Sequence, residues 1–185
     1  MSRIETTSRD LQPVHFTFRV GITADIDAMA LTMERANAGR DGRPLPEVIT
    51  DEYRLEEVHR RMGYEDSWTY LAESGRKLAG FVLGHSSDTE DTIETREQDE
   101  YLALLMAEPD TWGTGVSSVL VDMAYDHARA LGRERMILWT GRDNNARSRR
   151  FYEKSGFVLS DKQRASKTQP DMILEQYSLD LTDQN

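Results

Sequence analysis

The stretch EPDTWGTGVSSVL, Glu108 to Leu120, sets two glycines one residue apart at the entrance to a run of helical periodicity. Just upstream, YLALLMA (Tyr101 to Ala107) is a near-continuous apolar run bounded by an acidic tract and by Pro109, which predicts a strand covered on both faces. From Val116 the apolar residues Val119, Leu120, Met123, Ala124 and Leu131 follow a helical stripe, with Gly132 placed as its stop. A strand that passes through a glycine turn into a helix directs unpaired backbone N–H groups, and the positive end of the helix dipole, at whatever occupies the turn. That is a cradle for an anion, most often phosphate.

The flanking sequence supplies the rest of an α/β pattern. HFTFRVGIT reads as a first strand, and ADIDAMALTMERAN as a helix with Ile26, Met29, Ala30 and Met33 on one face and Thr23 as its cap. GRDGRPLPE (Gly39 to Glu47) breaks the pattern as a loop, and ITDEYRLEEVHRRMG resumes helix with Thr50 as cap and Gly63 as stop. SWTYLAE and KLAGFVLGH, joined by SGR, read as an antiparallel hairpin. Asp88 to Glu100 carries seven acids against one arginine and reads as a solvated loop running into the next strand. After the central helix come a strand (RMILWT), a short helix (NARSRRFYEKSG) and two strands (FVLSDKQ and DMILEQYSLDL). The order β-α-α-β-β-β-α-β-α-β-β predicts a mixed sheet, parallel where strand, helix and strand alternate.

Length and composition bound the function. At 185 residues the chain fits one domain, expected over residues 14–185 behind a flexible segment at 1–13. No apolar run nears the roughly 20 residues that span a bilayer, and the first residues hold no apolar block of a secretory signal, so no membrane association and a cytoplasmic location are expected. Without cysteine there is neither a thiolate nucleophile nor a cysteine-ligated zinc, and the four histidines fall at no metal-like spacing, so no metal is expected. The net charge of −10 speaks against nucleic acid as partner. Its distribution is uneven: residues 1–128 carry −13, residues 129–167 carry +7 and residues 168–185 carry −4.

Of the phosphate-binding turns, a P-loop requires Gly-Lys-Ser/Thr, and Gly115 is followed by Val116. A dinucleotide fingerprint needs glycine at Ser118 and an acid closing a strand about 20 residues on, which RMILWT does not provide. A third pattern fits. PDTWGTGVSSVL followed by NARSRRFYEKSGF resembles the GNAT superfamily of acyl-CoA-dependent N-acetyltransferases, whose motifs are Gln/Arg-x-x-Gly-x-Gly/Ala and Asn-x-x-Ala-x-x-Phe-Tyr-Glu-Lys-x-Gly-Phe. The first falls on Trp112 to Ser117, and the second on Asn145, Ser148, Phe151, Tyr152, Glu153, Lys154, Gly156 and Phe157. Trp112 stands where Gln or Arg is usual, and Ser117 where Gly or Ala is usual.

The resemblance implies a mostly antiparallel sheet with a central splayed parallel pair, YLALLMA and RMILWT, flanked by helices. It implies acetyl-CoA as co-substrate and an amine-bearing acceptor, small molecule or protein. Coenzyme A would be bound by Gly113, Thr114, Gly115, Val116, Ser117 and Ser118, by main-chain groups of Leu105, Met106 and Ala107, and by Asn145 and Ser148. Asn145 is also a competent helix cap. Tyr152 matches the general acid that protonates the departing thiolate, or else is an aromatic packed beside Phe151. For a general base Glu100 comes first, with Asp99 and His85 behind it; the alternative for Glu100 is a solvated strand end. Arg142, Arg147, Arg149 and Arg150 either meet cofactor phosphates or line a solvated helix face. The acids of residues 1–128 either steer a cationic amine or serve solubility. Homodimers are frequent in such families, and nothing in the sequence identifies an interface.

Overall fold

The computed structural model describes residues 15–86, 99–143, 145–167 and 169–182. Seven strands form one sheet in the order β1-β2-β3-β4-β5-β7-β6: β1 Thr17–Val20, β2 Trp68–Ser74, β3 Lys77–Ser86, β4 Asp99–Ala107, β5 Arg135–Gly141, β6 Val158–Ala165 and β7 Ile173–Asp180. Every neighbouring pair is antiparallel except β4 and β5, which run parallel. The α-helices among the described residues are α1 Ile26–Arg40, α2 Glu52–Met62, α3 Val116–Ala130 and α4 Ala146–Lys154. The element order is the one the sequence pattern predicts. The expected boundary near residue 13 lies outside the described residues.

Each face of the sheet has its own core. Ile26, Met29, Ala30 and Met33 of α1 join Val58 of α2 against Leu71, Phe81, Leu83 and Leu104. On the other face Val116, Leu120, Val121, Ala124 and Ala128 of α3, with Tyr152 of α4, pack on Ala72, Val82, Leu102, Met136 and Leu138. Leu120 and Ala124 of the expected α3 stripe are buried, but Val119 and Leu131 are exposed, and Val121 and Ala128, outside that stripe, lie against the sheet. Small residues there bring the helix axis close to the strands, which apolar character alone does not reveal.

β4 serves both cores by alternation, and a bulge shifts the phase of that alternation. Leu83 pairs with Leu104 while the next residue, Gly84, pairs with Leu102, leaving Ala103 as the extra residue on β4. Ala103 and Leu104 both turn to the α1–α2 face, between Leu102 and Leu105, which turn to the α3 face. A run with no polar residue conceals such a phase slip.

Local capping also departs from expectation. Helix α2 is capped by Asp51, whose carboxylate accepts from the Tyr53 amide at 3.1 Å. Thr50 cannot serve, because its amide and hydroxyl both donate to the buried carboxylate of Glu34, at 2.9 Å and 2.8 Å. Glu34 also accepts from the Asp51 amide at 2.8 Å, so one carboxylate of α1 fixes the start of α2. Ahead of α1, Thr23 opens a 3₁₀ turn, and Asp25 supplies the side chain, accepting from the Ile22 amide at 2.8 Å. Asp99 and Glu100, expected in the acidic loop, are instead the first residues of β4 and are fully buried. The rest of that tract, 87–98, lies outside the described residues.

Glu34→Ala removes the shared acceptor of three part-buried hydrogen bonds from Thr50 and Asp51 and is expected to cost about 1–3 kcal/mol of stability, read from urea unfolding monitored by far-UV circular dichroism.

Candidate active site

The parallel pairing of β4 with β5 covers only three positions, Asp99 with Arg135, Glu100 with Met136 and Tyr101 with Ile137. Beyond Tyr101 the strands separate, and a cleft of about 640 Å³ opens between them. Its walls are β4 from Leu102 to Ala107, Leu138 to Thr140 of β5, the last turn of α1, the glycine turn and the first turns of α4.

Strand alternation decides which main-chain groups face this opening. The Glu108 amide donates to the Ala79 carbonyl of β3 at 2.9 Å, so Met106, two residues back, also directs its main chain toward β3. Leu105 and Ala107 turn theirs to the opposite edge, where β5 has left. Of the three residues expected to present main-chain groups here, Leu105 and Ala107 do so and Met106 does not. The Ala107 carbonyl is already engaged, accepting from the Trp112 indole N–H at 3.0 Å.

The turn itself is held open. Gly113 and Gly115 have φ of 85° and 90°, a region that costs a residue with a side chain, and a Cβ on either would meet nothing within 4 Å. Thr111 anchors the turn through its hydroxyl to the Glu108 carbonyl at 2.8 Å. Among the described residues, the amides of Gly113, Gly115, Val116 and Ser117 have no acceptor, whereas the Ser118 amide is given to the Gly115 carbonyl at 3.0 Å. Four free donors at the head of a 15-residue helix make the anion cradle expected from the sequence. Thr114 stands apart from the cleft lining, with its hydroxyl on the Thr111 carbonyl at 2.7 Å.

Across the opening, Asn145 precedes α4 without capping it: its amide donates to the Thr140 hydroxyl at 2.9 Å and its carbonyl accepts from the Ser148 hydroxyl at 2.6 Å. The three side chains tie the end of β5 to the first turn of α4. Tyr152, one helical turn on, packs among Phe151, Phe157 and Tyr177, and among the described residues its hydroxyl has no hydrogen-bond partner. Burial, with a smaller push from Tyr101, raises its pKa far above the ordinary phenol value, so the hydroxyl keeps its proton across the neutral range.

The expected bases lie elsewhere. Glu100 faces α3, below the split, and is fully buried; its carboxylate accepts from the Trp68 indole at 2.5 Å and pairs with Arg133 at 3.0 Å. Burial raises its pKa, against the lowering by Trp68 and Arg133. Asp99 pairs with Arg135, and buried His85 makes a contact with the Ser86 carbonyl at 2.8 Å. None of the three lines the cleft, and among the described residues no carboxylate or imidazole does. The motif placed Tyr152 by its own sequence neighbours; β4 offered no comparable signal for the facing of Glu100.

Two arginines line it, Arg40 and Arg147. Of the other arginines weighed for phosphate, Arg142 pairs with Asp143 at 3.1 Å, Arg149 lies 3.7 Å from Glu175, and Arg150 does not line the cleft. Trp139 of β5 and Ala36, Asn37, Gly39 and Arg40 of the last turn of α1 also line the cleft, and the sequence named none of these five individually as a site residue. Among the described residues no cluster of three potential metal ligands exists, and no helix is long and apolar enough to cross a membrane.

A family model described as Acetyltransferase (GNAT) family matches residues 38–157. The chain belongs to the GNAT acetyltransferase family. Solved structures share its fold over nearly their whole length. A protein of Desulfovibrio desulfuricans assigned to the GNAT family has 17% identity and a TM-score of 0.69, with 91% of this chain and 100% of that one covered. The ribosomal-protein-S18-alanine N-acetyltransferase of Escherichia coli has 16% identity and a TM-score of 0.67, covering 92% and 97%. The PaiA N-acetyltransferase of Thermoplasma acidophilum, solved in complex with coenzyme A, has 17% identity and a TM-score of 0.63, covering 90% and 99%. No curated protein matches by sequence. The GNAT motif residues and the split strands fit coenzyme A on this chain's own terms: free amides for a pyrophosphate, an unpaired strand edge for an amide-bearing arm and, among the described residues, the guanidinium of Arg147 without an acid partner, while Arg40 pairs with Asp41 at 3.0 Å.

Because burial raises the folded-state pKa of Glu100, its contribution to stability is full below the ordinary value of 4.5 and is lost as pH rises through the raised one. Urea unfolding of Glu100→Gln against wild type between pH 4 and 7 is expected to move in the variant's favour as pH rises.

Proposed function

We propose that this chain is an N-acetyltransferase that moves an acetyl group from acetyl-CoA to a primary amine by direct attack, with residues 14–185 as one catalytic unit. The observation that carries this reading is the edge of β4, left unpaired where β5 departs, beside a turn with four unshared amides. Bound coenzyme A supplies the acyl group as a thioester.

The chain's own residues divide the remaining work. The amides of Gly113, Gly115, Val116 and Ser117 would take the pyrophosphate, with the α3 dipole behind them. Main-chain N–H groups of Leu105 and Ala107 would hold the pantetheine arm and polarise the thioester carbonyl. Asn145 and Ser148, braced on Thr140, would fix the wall of α4 against it. Tyr152, protonated and without a competing acceptor, would give its proton to the departing thiolate. With no cysteine there is no thiol to carry an acyl intermediate, which favours a single transfer between two bound substrates. The proton lost by the amine would leave through water, since the described cleft wall holds neither carboxylate nor imidazole. The acceptor is an amine on a small molecule or a protein, and the reaction is assigned to the cytoplasm.

Release of free thiol from acetyl-CoA is expected with at least one member of an amine panel. Tyr152→Phe should lower that turnover by about 10²-fold or more while calorimetric coenzyme A affinity stays within about twofold. Tight binding without turnover on any amine would instead mark an acyl-CoA sensor on the same fold, and absence of coenzyme A binding would remove both.

A further inference from the structure

The position at which the family pattern carries Gln or Arg is Trp112, and its surroundings give it a task. Three contacts fix the indole. Its N–H donates to the Ala107 carbonyl at the end of β4. Its outer edge lies against α1, so closely that a Cβ on Gly39 would come within 3.1 Å of it. Its ring carries the guanidinium of Arg147, 4.3 Å from the centroid. Strand, helix α1 and helix α4 thus converge on one side chain at the threshold of the free amides.

Arg147 differs from the arginines around it. Arg142 and Arg149 each lie against a carboxylate, and Arg150, the other arginine of α4, does not line the cleft. Among the described residues Arg147 has no acid within ion-pairing distance, although the chain carries 33 acids. A guanidinium lying on an aromatic face keeps its five N–H donors in the plane and directed outward, while losing little further rotamer freedom when an anion arrives. Both residues line the cleft together with Gly113, Gly115 and Ser117.

We infer that Trp112 is a positioning residue for the coenzyme A phosphates: it carries no charge itself but holds Arg147 of α4 as a preformed anion clamp beside the amide turn. The positive charge that an arginine at this motif position would supply is delivered from another helix by stacking. This deepens the acetyl-CoA reading above and rests on it. The phosphates are the only part of coenzyme A that the clamp engages; pantetheine lacks them.

The test is a thermodynamic cycle on the full chain. Coenzyme A affinity is measured by calorimetry for wild type, Trp112→Ala, Arg147→Ala and the double variant, and pantetheine affinity by competition against coenzyme A. Each single variant is expected to weaken coenzyme A by about three- to tenfold, the double variant hardly more than either one, and pantetheine to be unchanged. Trp112→Phe, which keeps an aromatic face, should recover most of the loss. The clamp is overturned if the two single losses multiply in the double variant, or if Trp112→Ala weakens pantetheine as much as coenzyme A, which would mark a purely structural indole. Wild type that binds no coenzyme A overturns the acetyl-CoA reading itself, whereas wild-type binding with Arg147→Ala unaffected sinks the clamp alone.

Discussion

The separation of β4 from β5 after three paired positions is the constraint on which the molecule turns. A sheet loses hydrogen bonds wherever two neighbours part, and unpaired main-chain groups inside a protein are costly unless something meets them. Here the split is placed where strand order changes from a meander to a crossover. On one side β1 to β4 form successive antiparallel neighbours; on the other β5 pairs with β7 and then β6. The crossover through α3 makes the only parallel junction among the described strands, and both that helix and α4 begin beside the gap. An open strand edge, a helix N-terminus and two sets of uncommitted amides therefore share one cleft, for reasons of topology.

The bulge at Ala103 belongs to the same design. By turning two successive residues to one face, it shifts the phase of the strand, so that Leu102 faces the α3 core before it and Leu105 and Ala107 do so after it. Glu100, before the bulge, is committed to Trp68 and Arg133, and among the described residues no carboxylate lines the cleft. The charge pattern is consistent with this division. An acidic chain concentrates its excess cations in residues 129–167, and Arg147, from that segment, lines the opening.

Much of this was legible in the chain. Element order followed from periodicity and from glycine and proline punctuation, because those signals depend on neighbours within a helical turn or a strand pleat. The glycine turn announced an anion cradle, since positive φ at Gly113 and Gly115 and free amides at a helix head are local properties. The spacing of the FYEKSGF segment placed Tyr152 on the wall of the cleft. Facing was less legible wherever a long-range partner decides it: Thr50 yielded the cap of α2 to Asp51 because Glu34, sixteen residues earlier, took its donors. Leu120 and Ala124 of the apolar stripe are buried as expected, yet Val119 and Leu131 are exposed, and Val121 and Ala128 take the sheet-facing places that the stripe did not include.

The sequence by itself determined the family, the order of strands and helices and the presence of a bare-backbone turn, because each is written in short-range pattern. Only the tertiary structure decided which groups meet at that turn. It set Leu105 and Ala107 toward the gap and Met106 away from it, buried Glu100 out of reach, and laid Arg147 on Trp112. These outcomes depend on where β4 and β5 part and on a one-residue bulge in an unbroken apolar run, and a run without polar residues carries no mark of its own register.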